Sequence, residues 1–184
     1  MNFTNHESER LYFRKFNEDD FPILYKWHNC AENMGYRRDG VKNEEETRNF
    51  MNWIISEANM EPCKIFWFAA VRKSDNILIG EALIKEVPQK PEYEIGWLVD
   101  KNHWGQGYGT EIGGAMLKYG FAVLNLHRII AACHVDNHAS YKLMEKLGMR
   151  REAHFIKSVL YGSEWCDRLQ YAILREEWEA DKDI

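Results

Sequence analysis

Several stretches of the chain alternate apolar and polar residues or form short apolar runs, and both patterns predict β-strands. Turn residues such as glycine, proline and asparagine bound these stretches, as they usually bound strands. The predicted strands cover residues 8–16, 64–71, 77–85, 93–99, 127–134, 149–160 and 164–174. Gly162 and Ser163 separate the last two strands, so we expect these strands to form a hairpin.

Other segments carry apolar residues at helical spacing. Asn17 and Asn43 each precede an acidic first turn, which is typical of the start of a helix. The predicted helices begin near residues 17 and 43 and cover 111–124 and 137–147. Residues 30–42 are predicted to be irregular, and the chain after residue 174 is predicted to be a short acidic tail.

The order of these elements is a strand, two helices, three strands, a helix, a strand, a helix and two strands. The strand–helix–strand unit of residues 93–134 implies two parallel strands joined by a crossover helix. We find no internal repeat, low-complexity segment or linker, so we expect a single α/β domain over residues 1–184. Ligands of such sheets usually bind at the carboxyl ends of the parallel strands.

The composition of the chain indicates which binding partners and which cellular compartment to expect. The chain is 45% apolar with a formal charge of -5, which is typical of a folded protein and argues against a nucleic-acid partner. Four cysteines occur without a C-x-x-C pair, which favours a reducing compartment over disulfides or a zinc site. The N-terminus, with Asn2, Thr4 and Asn5, has no apolar leader, and no apolar run reaches membrane length. We therefore expect a cytoplasmic protein without a membrane partner.

The stretch H-W-G-Q-G-Y-G-T-E, residues 103–111, holds three glycines at a strand-to-helix junction. Such a loop can aim backbone N–H groups at one point, and the helix start adds the positive end of its dipole. The pattern predicts an anion site, although glycines alone also fit a surface loop without a ligand. A dinucleotide fingerprint is excluded because Ile112 stands at its last position, and no Walker A Gly-Lys-Ser/Thr occurs.

Asn137 opens the next helix in the segment N-H-A-S-Y, and its simplest role is that of an N-cap. Together, however, a strand, W-G-Q-G-Y-G-T-E, a helix, a strand, N-x-x-S and K-L-G-M resemble the GNAT superfamily of acetyl-CoA-dependent N-acetyltransferases. The opening S-E-R-L-Y-F-R-K-F and the closing Y-A-I-L-R-E-E-W are similar to the RimJ/RimL-like branch. Named members of that branch acetylate the N-termini of ribosomal proteins. The resemblance covers nearly the whole chain.

The resemblance implies a mixed, mostly antiparallel sheet with a central pair of splayed parallel strands and flanking helices. It also implies acetyl-CoA as the acetyl donor and no metal. The family's loop pattern Q/R-x-x-G-x-G/A falls on residues 104–109, where Trp104 departs from the first position. The loop residues are expected to hold the pyrophosphate, and the other implied residues the pantetheine arm. The implied cofactor-binding residues are Leu98, Val99, Gly105, Gln106, Gly107, Tyr108, Gly109, Thr110 and Asn137.

Acetyl transfer to an amine needs a base, a hydrogen-bond donor for the oxyanion, and a proton or hydrogen bond for the departing thiolate. We predict Glu94 as the base, directly or through water, because many superfamily members use a carboxylate on this strand. A purely structural ion pair is the alternative for Glu94. Met144 replaces the tyrosine that many members use as the acid, so Ser140 is the predicted donor to the sulfur. Tyr141 and Tyr108 are alternative acids.

These observations favour an enzyme that moves acetyl to a primary amine by direct attack in a ternary complex. No acyl-enzyme is expected, because the cysteines lie outside the motifs. The acceptor is an N-terminal amine of the ribosomal-protein type or a small amine such as a polyamine, an aminoglycoside or an amino-acid derivative. Met144 disfavours a spermidine acetyltransferase, since those enzymes carry the tyrosine. A non-catalytic acetyl-CoA-binding module fits the same motifs, and the sequence leaves a homodimer open.

Overall fold

Strands form the centre of the molecule. The computed structural model describes residues 6–180, so the predicted polar segment with Asn2, Thr4 and Asn5 lies outside the described residues, as do residues 181–184. The strands are β1 (His6–Glu7), β2 (Leu11–Lys15), β3 (Ile65–Arg72), β4 (Ile77–Glu86), β5 (Tyr93–Val99), β6 (Arg128–His134), β7 (Arg150–Tyr161) and β8 (Glu164–Leu174).

Helices lie between the strands and after the last one. They are α1 (Phe21–His28), α2 (Ala31–Met34), α3 (Glu44–Glu57), α4 (Tyr108–Lys118), α5 (His138–Lys146) and α6 (Arg175–Ala180). Asn43 forms a capping box at the start of α3, and Asn17 forms one at a 3-10 turn, Glu18–Asp20, that leads directly into α1. Among residues 6–180, no helix is long and apolar enough to cross a membrane.

The described strands form one eight-stranded sheet with the order β1-β2-β3-β4-β5-β6-β8-β7. Every neighbouring pair is antiparallel except β5 and β6, which are parallel. This parallel pair is joined at only two positions, Tyr93 with Ile129 and Glu94 with Ile130. Beyond Glu94 the two strands separate toward their carboxyl ends. The predicted fold class, a mixed sheet with a central splayed parallel pair, is confirmed.

Different helices cover the two faces of the sheet. The core under α4 and α5 includes the buried residues Ile95, Tyr108, Ile112, Met116, Ala131 and Met144. The core under α1, α2 and α3 includes the buried residues Leu24, Trp27, Met34, Met51, Ile54 and Leu98. The alternation of side chains along β5 assigns Ile95 to the first core and Leu98 to the second, as expected for a strand covered on both faces.

Three predicted boundaries were wrong. The segment 30–42 is not wholly irregular, because α2 forms within it, and residues 175–180 form α6 rather than an acidic tail. Helix α6 is held by the ring of Trp178, which lies 5.2 Å from that of Phe121. Helix α4 begins at Tyr108, three residues before its predicted start, and continues after Lys118 as a π-helical turn to Val123.

Candidate active site

A cleft of about 690 Å³ opens where β5 and β6 separate. The loop before α4, the start of α5 and the segment after α1 complete its walls. The predicted residues that line it are Leu98, Val99, Gly105, Gly107, Tyr108, Gly109, Thr110, Asn137 and Ser140. Gln106 and Glu94 are not among the lining residues. The chain therefore brings together most of the residues that the sequence singles out, although they come from three separate segments.

The glycine-rich loop has the geometry of an anion site. Gly105 and Gly107 have positive φ values of 72° and 82°, which favour glycine, and Gly107 caps the start of α4. The first hydrogen bond within α4 runs from the Glu111 N–H to the Gly107 carbonyl, at 3.1 Å. The N–H groups of residues 108–110 therefore lack partners within the helix, and these residues line the cleft at the positive end of the helix dipole.

Arg10, on the N-terminal side of β2, braces this loop and was not singled out from the sequence. Its Nη1 donates to the Gln106 carbonyl at 3.0 Å, and its guanidinium lies 4.2 Å from the centre of the Tyr108 ring. Its Nε and backbone N–H donate to the Glu111 carboxylate at 2.8 and 2.7 Å. Burial raises the pKa of Glu111, but the hydrogen bonds from Arg10 and Ser8 lower it further, so its pKa lies below the ordinary value. No local pattern links residue 10 to residue 106.

The register of β5 decides which of its backbone groups reach the cleft. The Asp100 N–H donates to the Ile79 carbonyl on β4 at 2.9 Å, and alternate residues of an antiparallel strand face the same neighbour. The Leu98 backbone therefore faces β4, whereas that of Val99 faces the cleft. Trp104 supports this direction, since its Nε1 donates to the Val99 carbonyl at 2.7 Å. This register fits backbone pairing with a ligand at Val99, and it does not fit the predicted pairing at Leu98.

Asn137 combines both roles that the sequence left open. Its Oδ1 accepts from the Ser140 N–H at 3.1 Å, so it is the N-cap of α5. Its side-chain nitrogen makes no hydrogen bond with the described chain, and the residue lines the cleft. This nitrogen is therefore available to a ligand.

Cys133 lines the cleft beside Ser140, a position that the sequence pattern did not indicate. Burial raises the pKa of the Cys133 thiol to about 11, although a hydrogen bond with Ser140 acts in the opposite direction. The thiol is therefore protonated at neutral pH and a poor nucleophile. All four cysteines are free thiols.

The residues considered as acids lie in different environments. Met144, at the position of the usual tyrosine, is fully buried in the core under α4 and α5. Tyr141 lies outside the cleft lining, whereas Tyr108 lines the cleft but is buried against Arg10. Ser140 is half-buried and lines the cleft, which leaves it the best placed of these side chains.

Glu94 stands at the last paired position of β5 and β6, on the same face of the sheet as Leu98. Its Oε1 accepts from Arg168 Nη2 at 3.1 Å, and its Oε2 lies 3.3 Å from Lys85 Nζ. The neighbouring Ile95 and Gly96 line the cleft. Glu94 thus lies next to the cleft and is held between two cations.

Cationic side chains predominate among the charged residues of the cleft. Lys142 and Lys146 on α5 and Arg37 after α2 line it, against a single carboxylate, Glu32, among the described residues. The lysines lie on the helix that packs against the start of α4, where phosphate groups are expected. Within residues 6–180, no group of His, Cys, Asp and Glu side chains is arranged to hold a metal ion.

Comparisons with known proteins agree with this geometry. A sequence profile described as the acetyltransferase (GNAT) domain matches residues 10–150. The uncharacterised N-acetyltransferase YnaD of Bacillus subtilis (strain 168) is 38% identical over 171 residues, which cover 93% of this chain and 97% of YnaD. The crystal structure of a GNAT-family acetyltransferase from Bacillus anthracis is 40% identical with a TM-score of 0.83, covering 94% of this chain and 99% of that chain.

A more distant structure bears on the predicted branch. RimL, a ribosomal L7/L12 alpha-N-protein acetyltransferase in complex with coenzyme A, has a TM-score of 0.77 at 20% identity, covering 91% of this chain and 95% of that chain. Likeness at this identity shows the fold alone, so the RimJ/RimL-like branch remains a prediction. The profile match and the similarity to YnaD, by contrast, show the family. The chain belongs to the GNAT family of acetyl-CoA-dependent N-acetyltransferases.

Proposed function

We propose that the cleft between β5 and β6 transfers the acetyl group of acetyl-CoA to a primary amine by direct attack in a ternary complex. One observation carries the proposal: the strands separate beside a helix start whose N–H groups lack partners in the helix. The gap can admit an extended arm, and the helix start can hold an anionic group at its end. Both are needed for a long thioester that ends in phosphates.

The residues around the cleft fit acetyl-CoA. Acetyl-CoA supplies the acetyl group as a thioester. In the proposal, Gly105, Gly107 and the N–H groups of residues 108–110 hold the pyrophosphate, with Gln106 shaping the loop through its carbonyl. Lys142 and Lys146 add positive charge on this side of the cleft. The Val99 carbonyl and the Asn137 side-chain nitrogen are proposed to bind the pantetheine arm.

Glu94 is the proposed general base. A lysine-like amine has a pKa of roughly 10.4 and is mostly protonated at neutral pH, so a proton must leave before attack. Because Glu94 lies beside the cleft and not in its lining, we propose that the proton reaches it through a water molecule. Arg168 and Lys85 hold the carboxylate at this position.

A backbone N–H is proposed to stabilise the oxyanion, and a hydroxyl is proposed to donate a hydrogen bond to the departing thiolate. The N–H at Val99 faces the cleft and is the proposed donor to the oxyanion. Ser140 is the proposed donor to the departing thiolate of coenzyme A. Cys133 is not proposed as an acyl carrier, because its thiol is protonated at neutral pH. This supports direct transfer from the thioester to the amine.

For the acceptor, we propose a peptide N-terminal amine of the ribosomal-protein type or a small amine, and we place the reaction in the cytoplasm. RimL, a ribosomal L7/L12 alpha-N-protein acetyltransferase, supports the first choice only through a shared fold. A polyamine is the less favoured small amine, because Glu32, the only carboxylate that lines the cleft within residues 6–180, is already bound to Lys101 Nζ at 2.9 Å. A non-catalytic acetyl-CoA-binding module is the remaining alternative.

The test is thiol release from acetyl-CoA with a panel of amines, run beside a thermal-shift measurement of acetyl-CoA binding. The panel contains short peptides with free N-termini, polyamines, aminoglycosides and amino acids, and a reaction without amine is the control. We expect acetyl-CoA to raise the melting temperature and one class of amine to accelerate thiol release. Binding without turnover would favour the non-catalytic module, and absence of binding would contradict the proposal.

A further inference from the structure

Arg37 lines the cleft with a guanidinium whose hydrogen-bond donors are mostly unused. It follows α2 and lines the cleft on the side away from the lysines of α5. The guanidinium makes no hydrogen bond with the described residues and keeps only two long ion pairs. Its Nε lies 3.5 Å from Asp39 Oδ1, and its Nη1 lies 3.6 Å from Glu81 Oε2. Most of its five N–H donors are therefore available to a ligand.

A buried carboxylate holds Arg37 in this position. Glu81 on β4 is 1% exposed, and its Oε1 accepts from His28 Nε2 at 3.0 Å. Its Oε2 accepts from Trp67 Nε1 at 2.9 Å, so the carboxylate cannot swing toward the cleft without losing both hydrogen bonds. The guanidinium also lies 5.9 Å from the centre of the Trp67 ring. Glu81 and Trp67 thus hold one side of the Arg37 guanidinium, and the other side remains open to the cleft.

The surroundings of Arg37 are aromatic and positively charged. Tyr36, His134 and Tyr161 form a row of rings, with centroids 5.5 and 4.8 Å apart. Burial raises the pKa of Tyr161, and the positive charges of Arg168 and Arg38 act in the opposite direction. Arg38 is exposed and has no ion pair among residues 6–180.

We infer that the acceptor amine carries a carboxylate, which Arg37 binds in bidentate fashion. The inference rests on the proposed function and narrows its substrate class. A guanidinium matches the geometry of a carboxylate, and Arg37 offers an open edge in a cleft that holds little negative charge. The row of rings would pack against the body of the acceptor. The carboxylate has two sources, the free carboxyl group of an amino acid or an acidic side chain near a peptide N-terminus.

Matched acceptors with and without a carboxylate show how much this group contributes to the reaction. One arm compares phenylalanine with phenylalaninamide and phenethylamine, and a second compares peptides with glutamate or glutamine as the second residue. We expect the carboxylate-bearing member of at least one arm to have a kcat/KM higher by about tenfold to a hundredfold, as hydrogen bonds to a charged group imply. The arm that shows the preference identifies the source of the carboxylate.

Arg37→Gln tests the residue itself. We expect the variant to lose the preference for the carboxylate while its KM for acetyl-CoA stays unchanged. Arg151→Gln is the matched control, because Arg151 is exposed on β7 and does not line the cleft. Equal kcat/KM for acids and amides in the wild type, or a preference that persists in Arg37→Gln, would overturn the inference while leaving acetyl transfer intact.

Calorimetry separates this inference from the proposed function. If no amine releases thiol, the proposed function fails. The carboxylate site is then tested separately, by calorimetric binding of the acids and amides to protein saturated with coenzyme A. Binding of an acid that is absent for its amide and lost in Arg37→Gln supports a carboxylate site. Equal binding of acid and amide, or no binding of either, overturns it.

Discussion

Glu94 has contacts that suit two roles. Its carboxylate lies between Arg168 and Lys85, as a structural ion pair would, yet its strand parts from β6 at this residue and the next two residues line the cleft. A partly exposed ion pair contributes little to stability, about 0–1 kcal/mol. Loss of the charge should therefore change the reaction far more than the free energy of unfolding.

Glu94→Gln keeps the shape of the side chain and one acceptor oxygen, which can still accept from Arg168, but it cannot accept the amine proton. We expect kcat to fall by about 10²-fold or more, as loss of a general base usually causes, with the Kd for acetyl-CoA unchanged. Steady-state kinetics and calorimetry measure the two values. Glu86→Gln is the control, since Glu86 pairs with Lys64 on the opposite face of the sheet from Glu94 and should retain activity. An unchanged kcat in Glu94→Gln would assign Glu94 to the structural role.

At the scale of elements, the position of β5 depends on how closely β4 approaches it. A Cβ at Gly80 would lie 2.4 Å from the Leu98 carbonyl oxygen, a backbone atom that cannot move without shifting the strand. Gly114 differs, because a Cβ there would lie 3.7 Å from Leu147 Cδ2, an ordinary contact. One glycine is therefore required by packing, and the other is not.

We predict that alanine substitutions at these two glycines change the free energy of unfolding in opposite directions. Gly80→Ala should lower the free energy of unfolding by about 1–3 kcal/mol, because the added methyl displaces β5. Gly114→Ala should raise it by about 0.5–1 kcal/mol, because alanine favours the interior of a helix. Urea unfolding measures both, and thiol release should fall only in Gly80→Ala. A change of the same sign in both variants would contradict this packing.

The helices and strands that could be predicted are those whose sequence pattern lies within the element itself. The bounds of β5 and β8 match the prediction, because alternation and flanking turns lie within the strands themselves. Helix α6 was missed because one apolar residue, Trp178, attaches it, and its partner Phe121 is distant in sequence. Helix α2 has only four residues, too few for a periodic pattern.

The same limit applies to the site. The loop and Asn137 could be predicted because their residues are adjacent or follow a family motif. Arg10, Arg37 and Tyr161 could not, since each reaches the loop or the cleft only through the register of the folded sheet. Leu98 and Val99 show the limit most clearly. The sequence treats them alike, whereas strand pairing directs only one of their backbones toward the cleft.

At the scale of the whole molecule, Glu81 joins the sheet to α1 and to the segment after α2. It lies on β4, receives hydrogen bonds from His28 of α1 and Trp67 of β3, and orients Arg37. Burial raises the pKa of Glu81, but the hydrogen bond from His28, the charge of Arg37 and the Trp67 N–H lower it further. The net result is a pKa below its ordinary value of 4.5.

A lowered pKa in the folded state means that the Glu81 charge stabilises the fold above the unfolded pKa and that this stability is lost as pH falls through the folded pKa. At pH 7 we expect Glu81→Gln to be less stable than the wild type by about 1–3 kcal/mol, and the difference should shrink below about pH 4.5. Urea unfolding across this range measures it, with Glu86→Gln, a partly exposed position on the same strand, as the control. A difference that stays constant with pH would refute the linkage.

A crystal structure of the coenzyme A complex would show whether the separated strands and the start of α4 together hold the acetyl donor. We predict that the pyrophosphate oxygens accept hydrogen bonds from the N–H groups of residues 108–110. We also predict that the pantetheine arm lies between β5 and β6, against the Val99 backbone. Coenzyme A bound elsewhere, or β5 and β6 joined along their full length in the complex, would contradict this assignment of the acetyl-CoA site.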